Sequence, residues 1–315
     1  MPIAIVVHGG AGTAAPDRYE MLQAGCREAA LAGWTTLQAG GTALDAVEAA
    51  VRSLEDNPNF NAGTGASLTT EGNIELDAGI MAGSRLAVGA VADVELIKNP
   101  ISLARKVLES PHVLLVGKGA QQFAREQNIP QCSLNDLMTG RQYEIWKAAK
   151  AASEAEEPRY HRREVGLVLG SSSQEQEQPE QEHGTVGAVA LDTFGGLAAA
   201  TSTGGIINKY PGRIGDSPLV GCGFYADENA AVSCTGHGED FVRLLLAKRA
   251  ADFVARGDTA RTAAEAAIAV LNAKATGQGG LIIVDHLGNV GFAWNTRNMS
   301  YAYMLEGMPE PQSGV

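Results

Sequence analysis

The chain has 315 residues, of which 45% are hydrophobic and 19% charged, so it is long enough for one large globular domain or two ordinary ones. Its net charge of −12 argues against nucleic acid or an anionic membrane as a partner, because both carry negative charge themselves. With no apolar run of about 18 residues and no basic segment before the first apolar stretch, we expect neither a membrane span nor a signal peptide.

The first predicted elements are a buried strand and two helices. The β-branched run IAIVV (3–7) predicts the strand, which ends at HGGAG. Residues 17–37 are predicted to be helical, and the glycine pair 40–41 ends that helix. Apolar residues on one face predict a second helix over 42–54, with Thr42 and Asp45 placed as a capping box.

The next part of the chain alternates short strands with helices. The composition of EDNPNFNAGTGA (55–66) predicts a loop. Pro100 is expected at the first position of a helix that ends near Leu108, and two more helical stretches end near residue 155. Strands are predicted at ASLTT (66–70), IELDAGIM (74–81), RLAVGAVADVEL (85–96) and HVLLVG (112–117).

A solvated segment from about 156 to 183 interrupts this pattern. Between residues 174 and 182 every residue except Pro179 is Gln or Glu, which cannot bury enough apolar area to offset the entropy lost on ordering. Considered alone, such a segment is an interdomain linker or a surface loop. A strand begins immediately after HG (183–184), however, which leaves no slack for an independent second domain. We therefore predict one domain, 1–315, that contains a disordered tail.

Strands and paired helices return after the segment. Strands are predicted at TVGAVALD (185–192), LAAATST (197–203), LVGCGFYA (219–226), AAVSCTG (230–236), GGLIIVD (279–285) and NVGFAWNT (289–296). Helices are predicted at about 238–256 and 259–274. This order of elements predicts an α+β protein in which sheets pack together and helices lie outside.

Thr185 can be a nucleophile if the chain is cut before it. A threonine hydroxyl needs a neighbouring base, and an N-terminal threonine carries one as its own α-amine. That amine has a pKa of about 8, against about 10.4 for lysine, so a useful fraction is neutral near pH 7. Gly184 suits the cut because a residue without Cβ leaves room for attack on its carbonyl. The alternative is that Thr185 is an ordinary strand residue.

Two loops after the strands carry polar groups suited to an amino-acid substrate. In NKYPGRIGDSPLVG (208–221), Arg213 could pair with a carboxylate and Asp216 with an ammonium group, unless the two form only a local surface ion pair. SCTGHGE (233–239) leads from a strand into a helix, where backbone N–H groups can stabilise an oxyanion.

Other chemistries are less well supported. His8, His183 and His237 lack the spacing of a metal site, and structural roles in turns are favoured for them. Ser217 is not in a G-x-S-x-G elbow, which argues against a serine hydrolase. Four sparse cysteines without a C-x-x-C pair indicate reduced thiols and a cytoplasmic protein.

Several motifs in fixed order together resemble a known family. They are HGGAG (8–12), NPNFNAGTGA (57–66), HGTVG (183–187), TSTGG (201–205), PGRIGDSP (211–218) and CTGHGE (234–239). The chain is identified as a member of the plant-type L-asparaginase and isoaspartyl peptidase family of N-terminal-nucleophile hydrolases. HGTVG separates it from glycosylasparaginases, which have an acidic residue before the threonine. The resemblance covers nearly the whole chain except about 156–182 and implies a four-layer αββα sandwich.

The resemblance also implies a role for each matching residue. It implies cleavage between Gly184 and Thr185 into subunits 1–184 and 185–315, with Thr185 as nucleophile and base. The implied assisting groups are Thr203 for activation, Arg213 for the substrate α-carboxylate, Asp216 with the Gly238 carbonyl for the α-ammonium, Thr235 and the Gly236 N–H for the oxyanion, and Asn61 beside the nucleophile. A structural sodium ion would be wrapped by carbonyls of Leu54, Glu55, Asn57, Phe60, Ala62 and Thr64.

The implied activity is hydrolysis of L-asparagine and β-aspartyl dipeptides by a dimer of cleaved heterodimers, with no organic cofactor and no divalent metal. Two other interpretations stay open at this point. One is a non-catalytic protein whose Arg213 and Asp216 capture an amino acid. The other is a related threonine hydrolase with a different acyl preference, such as glycosylasparagine.

Overall fold

A computed structural model describes residues 1–155 and 182–315 of the chain. The helices are α1 (Tyr19–Gln38, after a 3-10 turn at Pro16–Arg18), α2 (Ala43–Asp56), α3 (Pro100–Leu108), α4 (Gly117–Glu126), α5 (Leu134–Leu137), α6 (Gly140–Ala155), α7 (Gly238–Leu244), α8 (Leu246–Ala255) and α9 (Ala260–Lys274). Among the helices of these two ranges, none has both the length and the apolar character that crossing a membrane would require.

Strands occur both before residue 156 and after residue 181. They are β1 (Ala4–Gly12), β2 (Leu76–Ala82), β3 (Ala87–Val94), β4 (Leu114–Val116), β5 (Glu182–His183), β6 (Val186–Leu191), β7 (Leu197–Thr203), β8 (Phe224–Ala226), β9 (Ala230–Gly236), β10 (Gly279–Asp285), β11 (Val290–Trp294), β12 (Asn298–Leu305) and β13 (Gln312–Gly314). Residues 156–181 of the predicted tail lie outside the described residues, and its last two residues form β5.

The larger sheet interleaves strands from the two halves of the chain. Its order in the described ranges is β13-β12-β1-β6-β7-β2-β3-β4, and β5 also pairs with β1. All neighbours are antiparallel except β3 and β4. Because β6 and β7 lie between β1 and β2, neither half of the chain builds this sheet alone.

A second sheet, in the order β11-β10-β9-β8, packs face to face on the first. Apolar side chains of both sheets, such as Val6, Val189 and Ile282, share one buried layer between them. On the neighbouring positions of β1, Ile5 and Val7 instead pack against the helices, as the alternation of a strand requires.

Helices cover the outer face of each sheet. Helices α1, α2 and α3 contribute to the core outside the larger sheet, whereas α8 and α9 pack on β9 and β10 of the smaller one. The architecture is therefore the predicted α+β sandwich, with the layers helix, sheet, sheet, helix. The predicted capping box of α2 is confirmed by the hydrogen bond from Asp45 N to Thr42 Oγ1 at 3.2 Å.

Three local predictions are wrong. Residues 66–70 form no strand, because Thr69 N bonds to Asn73 O in a turn. The helix predicted over 238–256 is broken at Leu245, whose φ of 50° is left-handed and whose side chain is exposed. Of 219–226 only β8 is extended, since the preceding residues fold into turns around Leu219.

Candidate active site

The predicted cleavage bond lies in a β-bulge beside β1. Strand β1 pairs with β6 at His8 and Gly187 and with β5 at Ala11 and His183. Two residues of β1 therefore face three residues, 184–186, of the opposite strand. A bulge bends the chain and re-aims its side chains, and bulges are over-represented beside active sites.

Thr185 and Thr203 meet at the end of β7. The side chain of Thr185 is buried, and its Oγ1 donates a hydrogen bond of 3.2 Å to Thr203 Oγ1. Thr203 Oγ1 also accepts the N–H of Gly205 at 3.0 Å, which fixes its position. An acceptor held against the Thr185 hydroxyl polarises the O–H bond and so favours nucleophilic attack.

Asn61 packs against Gly184 on the other side of the Gly184–Thr185 peptide bond. Its Nδ2 donates to Gly205 O at 2.6 Å, and its Oδ1 accepts the N–H of Ser67 at 2.7 Å. A Cβ on Gly184 would lie 2.5 Å from Asn61 Cβ, so a larger residue does not fit without displacement of Asn61. The φ of Gly184 is not left-handed, so glycine is required here for space and not for backbone strain.

The second sheet brings Thr235 and Gly236 to the same bulge. Thr235 is completely buried, and its Oγ1 accepts the N–H of Ala11 at 3.1 Å. Gly236 has a φ of 151°, and a Cβ there would lie 2.5 Å from Gln278 O. A hydroxyl and a backbone N–H at the end of a strand are suited to stabilising an oxyanion, and the φ of Gly236 is one that residues with a side chain rarely adopt.

His8 on β1 contacts Ser233 on β9, so it connects the two sheets near the backbone of Thr185. Its Nε2 is 2.7 Å from Ser233 Oγ, and Gly187 leaves the room for this contact because a Cβ there would lie 2.0 Å from the Ser233 oxygen. Burial lowers the pKa of His8 to about 3, and the nearby backbone of Thr185 opposes this only in part. His8 is therefore neutral at physiological pH. Within the described ranges no His, Cys, Asp and Glu side chains cluster as metal ligands.

Arg213 is bound by Glu239, which is not among the site residues predicted from the sequence. Its Nε and Nη2 donate to Oε1 and Oε2 of Glu239, at 3.0 and 2.8 Å. Although burial opposes it, these hydrogen bonds and the charge of Arg213 lower the pKa of Glu239. A Cβ on Gly238 would lie 3.1 Å from Arg213 Nη2, so the glycine lets the guanidinium lie against the backbone. Glu239 could have been selected from the sequence because it is the last residue of the motif CTGHGE.

Asp216 is a buried carboxylate with spare hydrogen-bonding capacity. Its Oδ2 has no hydrogen-bond partner among the described residues. Burial raises the pKa of Asp216 to about 7; its own backbone N–H and Arg213 oppose the rise, whereas Glu239 and Asp77 add to it. Glu239 already balances the positive charge of Arg213. When Asp216 is ionised, its negative charge is therefore available to an ammonium ion of the substrate.

A second buried aspartate, also not selected from the sequence, lies below this group. Asp77 pairs with Thr203 across β2 and β7, and its Oδ1 accepts the N–H of Asp93 at 2.9 Å. Burial raises the pKa of Asp77 to about 6, against the field of the buried Lys209. Asp77 could have been selected from the sequence because it is a charged residue within the predicted buried strand IELDAGIM.

The residues that the family resemblance assigns to a sodium site lie at the end of α2 and in the loop that follows it. A Cβ on Gly63 would lie 2.5 Å from Glu55 O, and one on Gly65 would lie 2.7 Å from Phe60 O, so glycine is needed where the chain passes these carbonyls. Glu55 O also accepts the N–H of Thr64 at 2.8 Å. Glu55 is fully buried, its Oε2 has no partner among the described residues, and burial raises its pKa to about 8. Several carbonyls and at most one carboxylate are a donor set for a monovalent ion.

Comparisons with known proteins show which family the chain belongs to. Residues 1–310 match the model of a family described as asparaginase. The plant-type L-asparaginase of Pyrococcus abyssi is 50% identical over 317 residues, which cover 99% of this chain and all of that protein. The isoaspartyl peptidase/L-asparaginase of Rattus norvegicus is 43% identical over 319 residues, 99% of this chain and 89% of that protein. The chain therefore belongs to the asparaginase family of N-terminal-nucleophile hydrolases.

Proposed function

We propose that this protein is a self-cleaving amidohydrolase that hydrolyses L-asparagine and β-aspartyl dipeptides and releases L-aspartate. The observation that carries the proposal is the hydrogen bond of 3.2 Å between the Thr185 and Thr203 hydroxyls. The peptide bond between Gly184 and Thr185 lies directly before this hydroxyl, in the bulge beside β1. The relatives' names, plant-type L-asparaginase and isoaspartyl peptidase/L-asparaginase, support the two substrate classes.

Self-cleavage would begin with attack of Thr185 Oγ1 on the carbonyl carbon of Gly184. The peptide C–N bond breaks as the ester C–O bond forms, and the nitrogen takes up a proton to become the free α-amine of Thr185. Water then hydrolyses the ester, which leaves a carboxylate at residue 184 and restores the hydroxyl. The products are the subunits 1–184 and 185–315.

The same hydroxyl would then attack the side-chain carbonyl of the substrate. The Thr185 amine accepts the proton of the hydroxyl and passes it to the departing ammonia or amino acid. The resulting β-aspartyl ester is hydrolysed by water, and aspartate leaves. Thr235 and the Gly236 N–H would hold the negative charge that develops on the carbonyl oxygen.

The head group of the substrate would bind between Arg213 and Asp216. The guanidinium presents donors beyond the two that Glu239 occupies and can take the α-carboxylate. The buried Asp216, with the Gly238 carbonyl, would take the α-ammonium. Binding of that cation favours the ionised form of a carboxyl whose pKa burial has raised.

Thr185→Ala tests the proposal, with Thr185→Ser as the matched control. We expect the alanine variant to remain a single 315-residue chain on a denaturing gel and the serine variant to split, because it keeps a hydroxyl. The smaller native fragment should begin with Thr185 when its N-terminus is sequenced. An uncut native chain that still binds aspartate would instead support an amino-acid-binding protein. Hydrolysis of glycosylasparagine, but not of asparagine, would support a different acyl preference.

Other parts of the family resemblance also remain proposals. We propose that Na⁺ binds the loop through the carbonyls of Leu54, Glu55, Asn57, Phe60, Ala62 and Thr64, and that two cleaved heterodimers associate. The mechanism requires no organic cofactor. The four cysteines are free, and burial raises the pKa of Cys26 to about 12, which suits a reducing compartment such as the cytoplasm. Metal analysis and the mass of the native assembly would check these points.

A further inference from the structure

Three polar side chains form a row across the larger sheet at the cleavage bond. Asp77 on β2 pairs with Thr203 on β7, and Thr185 lies beside Thr203 where β6 begins. Residues directly opposite each other on antiparallel strands point to one face, with Cβ atoms about 4.5–5.5 Å apart. This row points toward the second sheet, because Met81 and Ala199, four positions along the same two strands, belong to the layer between the sheets.

Among the described residues, the row places an unused donor beside an unused acceptor. A hydroxyl has one proton and two lone pairs, and the lone pairs of Thr203 already accept the N–H of Gly205 and the O–H of Thr185. Its own proton therefore remains to be donated. Asp77 Oδ1 accepts the N–H of Asp93 at 2.9 Å, but Oδ2 is buried and has no hydrogen-bond partner in the part of the chain that the structure describes.

Self-cleavage needs a proton acceptor that Thr185 itself does not supply in the uncut chain. Its nitrogen can be the base only after cleavage, because a peptide nitrogen shares its lone pair with the carbonyl group. His8 lies near the Thr185 backbone, but burial lowers the pKa of His8 to about 3, so it binds protons weakly. Asp77 is a stronger base, since burial raises its pKa to about 6.

The groups around Asp77 act on this pKa in both directions. Burial raises it most, whereas the positive charges of Lys209 and Arg213 lower it. Asp93 lowers it through its N–H and raises it through its charge, and the carboxyl of Asp216 also interacts with Asp77. Near pH 7 Asp77 is therefore mostly ionised, yet it binds a proton more strongly than an exposed aspartate, as a general base requires.

We propose that Asp77 is the proton acceptor of self-cleavage and acts through Thr203. As Thr185 Oγ1 bonds to the carbonyl carbon of Gly184, its proton passes to Thr203 Oγ1. The proton of Thr203 passes in turn to Asp77 Oδ2, directly or through one water molecule. When the peptide C–N bond breaks, the proton returns through Thr203 to the Thr185 nitrogen, and Asp77 is ionised again. This role rests on the proposed function, because it concerns the cleavage that releases the amine of Thr185.

The cleavage rate of freshly made chain tests the role of Asp77. Native protein, Asp77→Asn and Asp227→Asn are pulse-labelled by cell-free translation, diluted into buffers between pH 5 and pH 9, and followed on denaturing gels. Asparagine keeps the shape and an oxygen for the N–H of Asp93 but takes up no proton, so cleavage near pH 7 should slow at least about 100-fold. Asp227 is a buried aspartate outside the row, and its variant should cut at the native rate.

The pH profile separates Asp77 from other carboxyl groups. The native cleavage rate should fall as pH falls through about 6, because a protonated carboxyl accepts no proton, and it should be level above pH 7. Asp77→Asn should lack this acid limb. Asp216→Asn should keep the limb, because Asp216 serves the substrate head group and not the cleavage of the chain.

Two further measurements separate a proton acceptor from a residue that only supports the fold. If the proton passes through Thr203, then Thr203→Val and its double variant with Asp77→Asn should cut equally slowly. In the fraction of Asp77→Asn that matures on long incubation, kcat for L-asparagine should stay within about fivefold of native, because the Thr185 amine is then the base.

Each outcome decides between the proposals. Cleavage of Asp77→Asn at the native rate, additive losses in the double variant, or equal losses in cleavage and in kcat would overturn the role of Asp77 alone. If the variant does not fold, the native profile decides, since a cleavage rate that is constant from pH 5 to pH 8 contradicts an acceptor with this pKa. A native chain that is never cut would overturn the proposed function and this role with it.

Discussion

Replacement of Asp216 by asparagine should stabilise the fold and abolish function together. The folded chain raises the pKa of this carboxyl from 3.8 to about 7, chiefly through burial. Each pKa unit corresponds to about 1.4 kcal/mol, so the ionised side chain destabilises the fold by about 4 kcal/mol above pH 7. Asparagine has nearly the same shape and cannot ionise, so it removes this penalty.

The sign of the effect gives it a characteristic pH dependence. Between about pH 4 and pH 7 the folded chain holds the proton that the unfolded chain has lost, so native stability falls as pH rises through this window. The gain from Asp216→Asn should therefore be complete at pH 8, less than half as large at pH 5, and absent below about pH 3.

Urea unfolding at pH 8 and pH 5 measures this gain. Both chains should carry Thr185→Ala, so that one uncut chain unfolds. Asp227→Asn is the control, because Asp227 is also buried but its Oδ1 accepts the N–H groups of Asn229 and Ala230, and this exchange should not stabilise. In the cleaved protein, Asp216→Asn should lower kcat/KM for asparagine at least about 100-fold. A gain equal at both pH values, or a loss of stability at pH 8, would refute the reasoning.

Three further changes test other contacts. Gly184→Ala should slow the appearance of two bands on a denaturing gel, because its Cβ would lie 2.5 Å from Asn61; cleavage at the native rate would contradict this. Thr203→Val should lower kcat for asparagine about 10- to 100-fold, because it removes the acceptor of the Thr185 hydroxyl, whereas Thr203→Ser should keep most of it. Glu239→Gln should shift the acid limb of the kcat/KM profile to lower pH, since the Glu239 charge helps to raise the pKa of Asp216; an unmoved limb would remove Asp216 from that profile.

The sequence by itself determined the elements and motifs whose causes are local. The capping box of α2 depends on residues three positions apart, and the alternation of β1 depends on its own side chains. The same holds for Thr185 as a candidate nucleophile, because a glycine before it and a strand after it can both be read along the chain. Local rules failed at residues 66–70 and at Leu245, where contacts with distant residues contribute. Thr70 N bonds to Lys209 O, and the start of α8 after Leu245 bonds through Lys248 N to Gly221 O.

Only the tertiary structure decided which distant groups meet. His8 and Ser233 are separated by 225 positions, and their contact requires the two sheets to stack in one register. The partner of Arg213 was expected to be a substrate or Asp216, yet the fold places Glu239 against it and leaves Asp216 unmatched. The bulge at residues 184–186 likewise follows from how strands remote in sequence are paired. Hydrophobic patterning specifies which face of a strand is buried, but only the packed sheets fix the neighbours of that face.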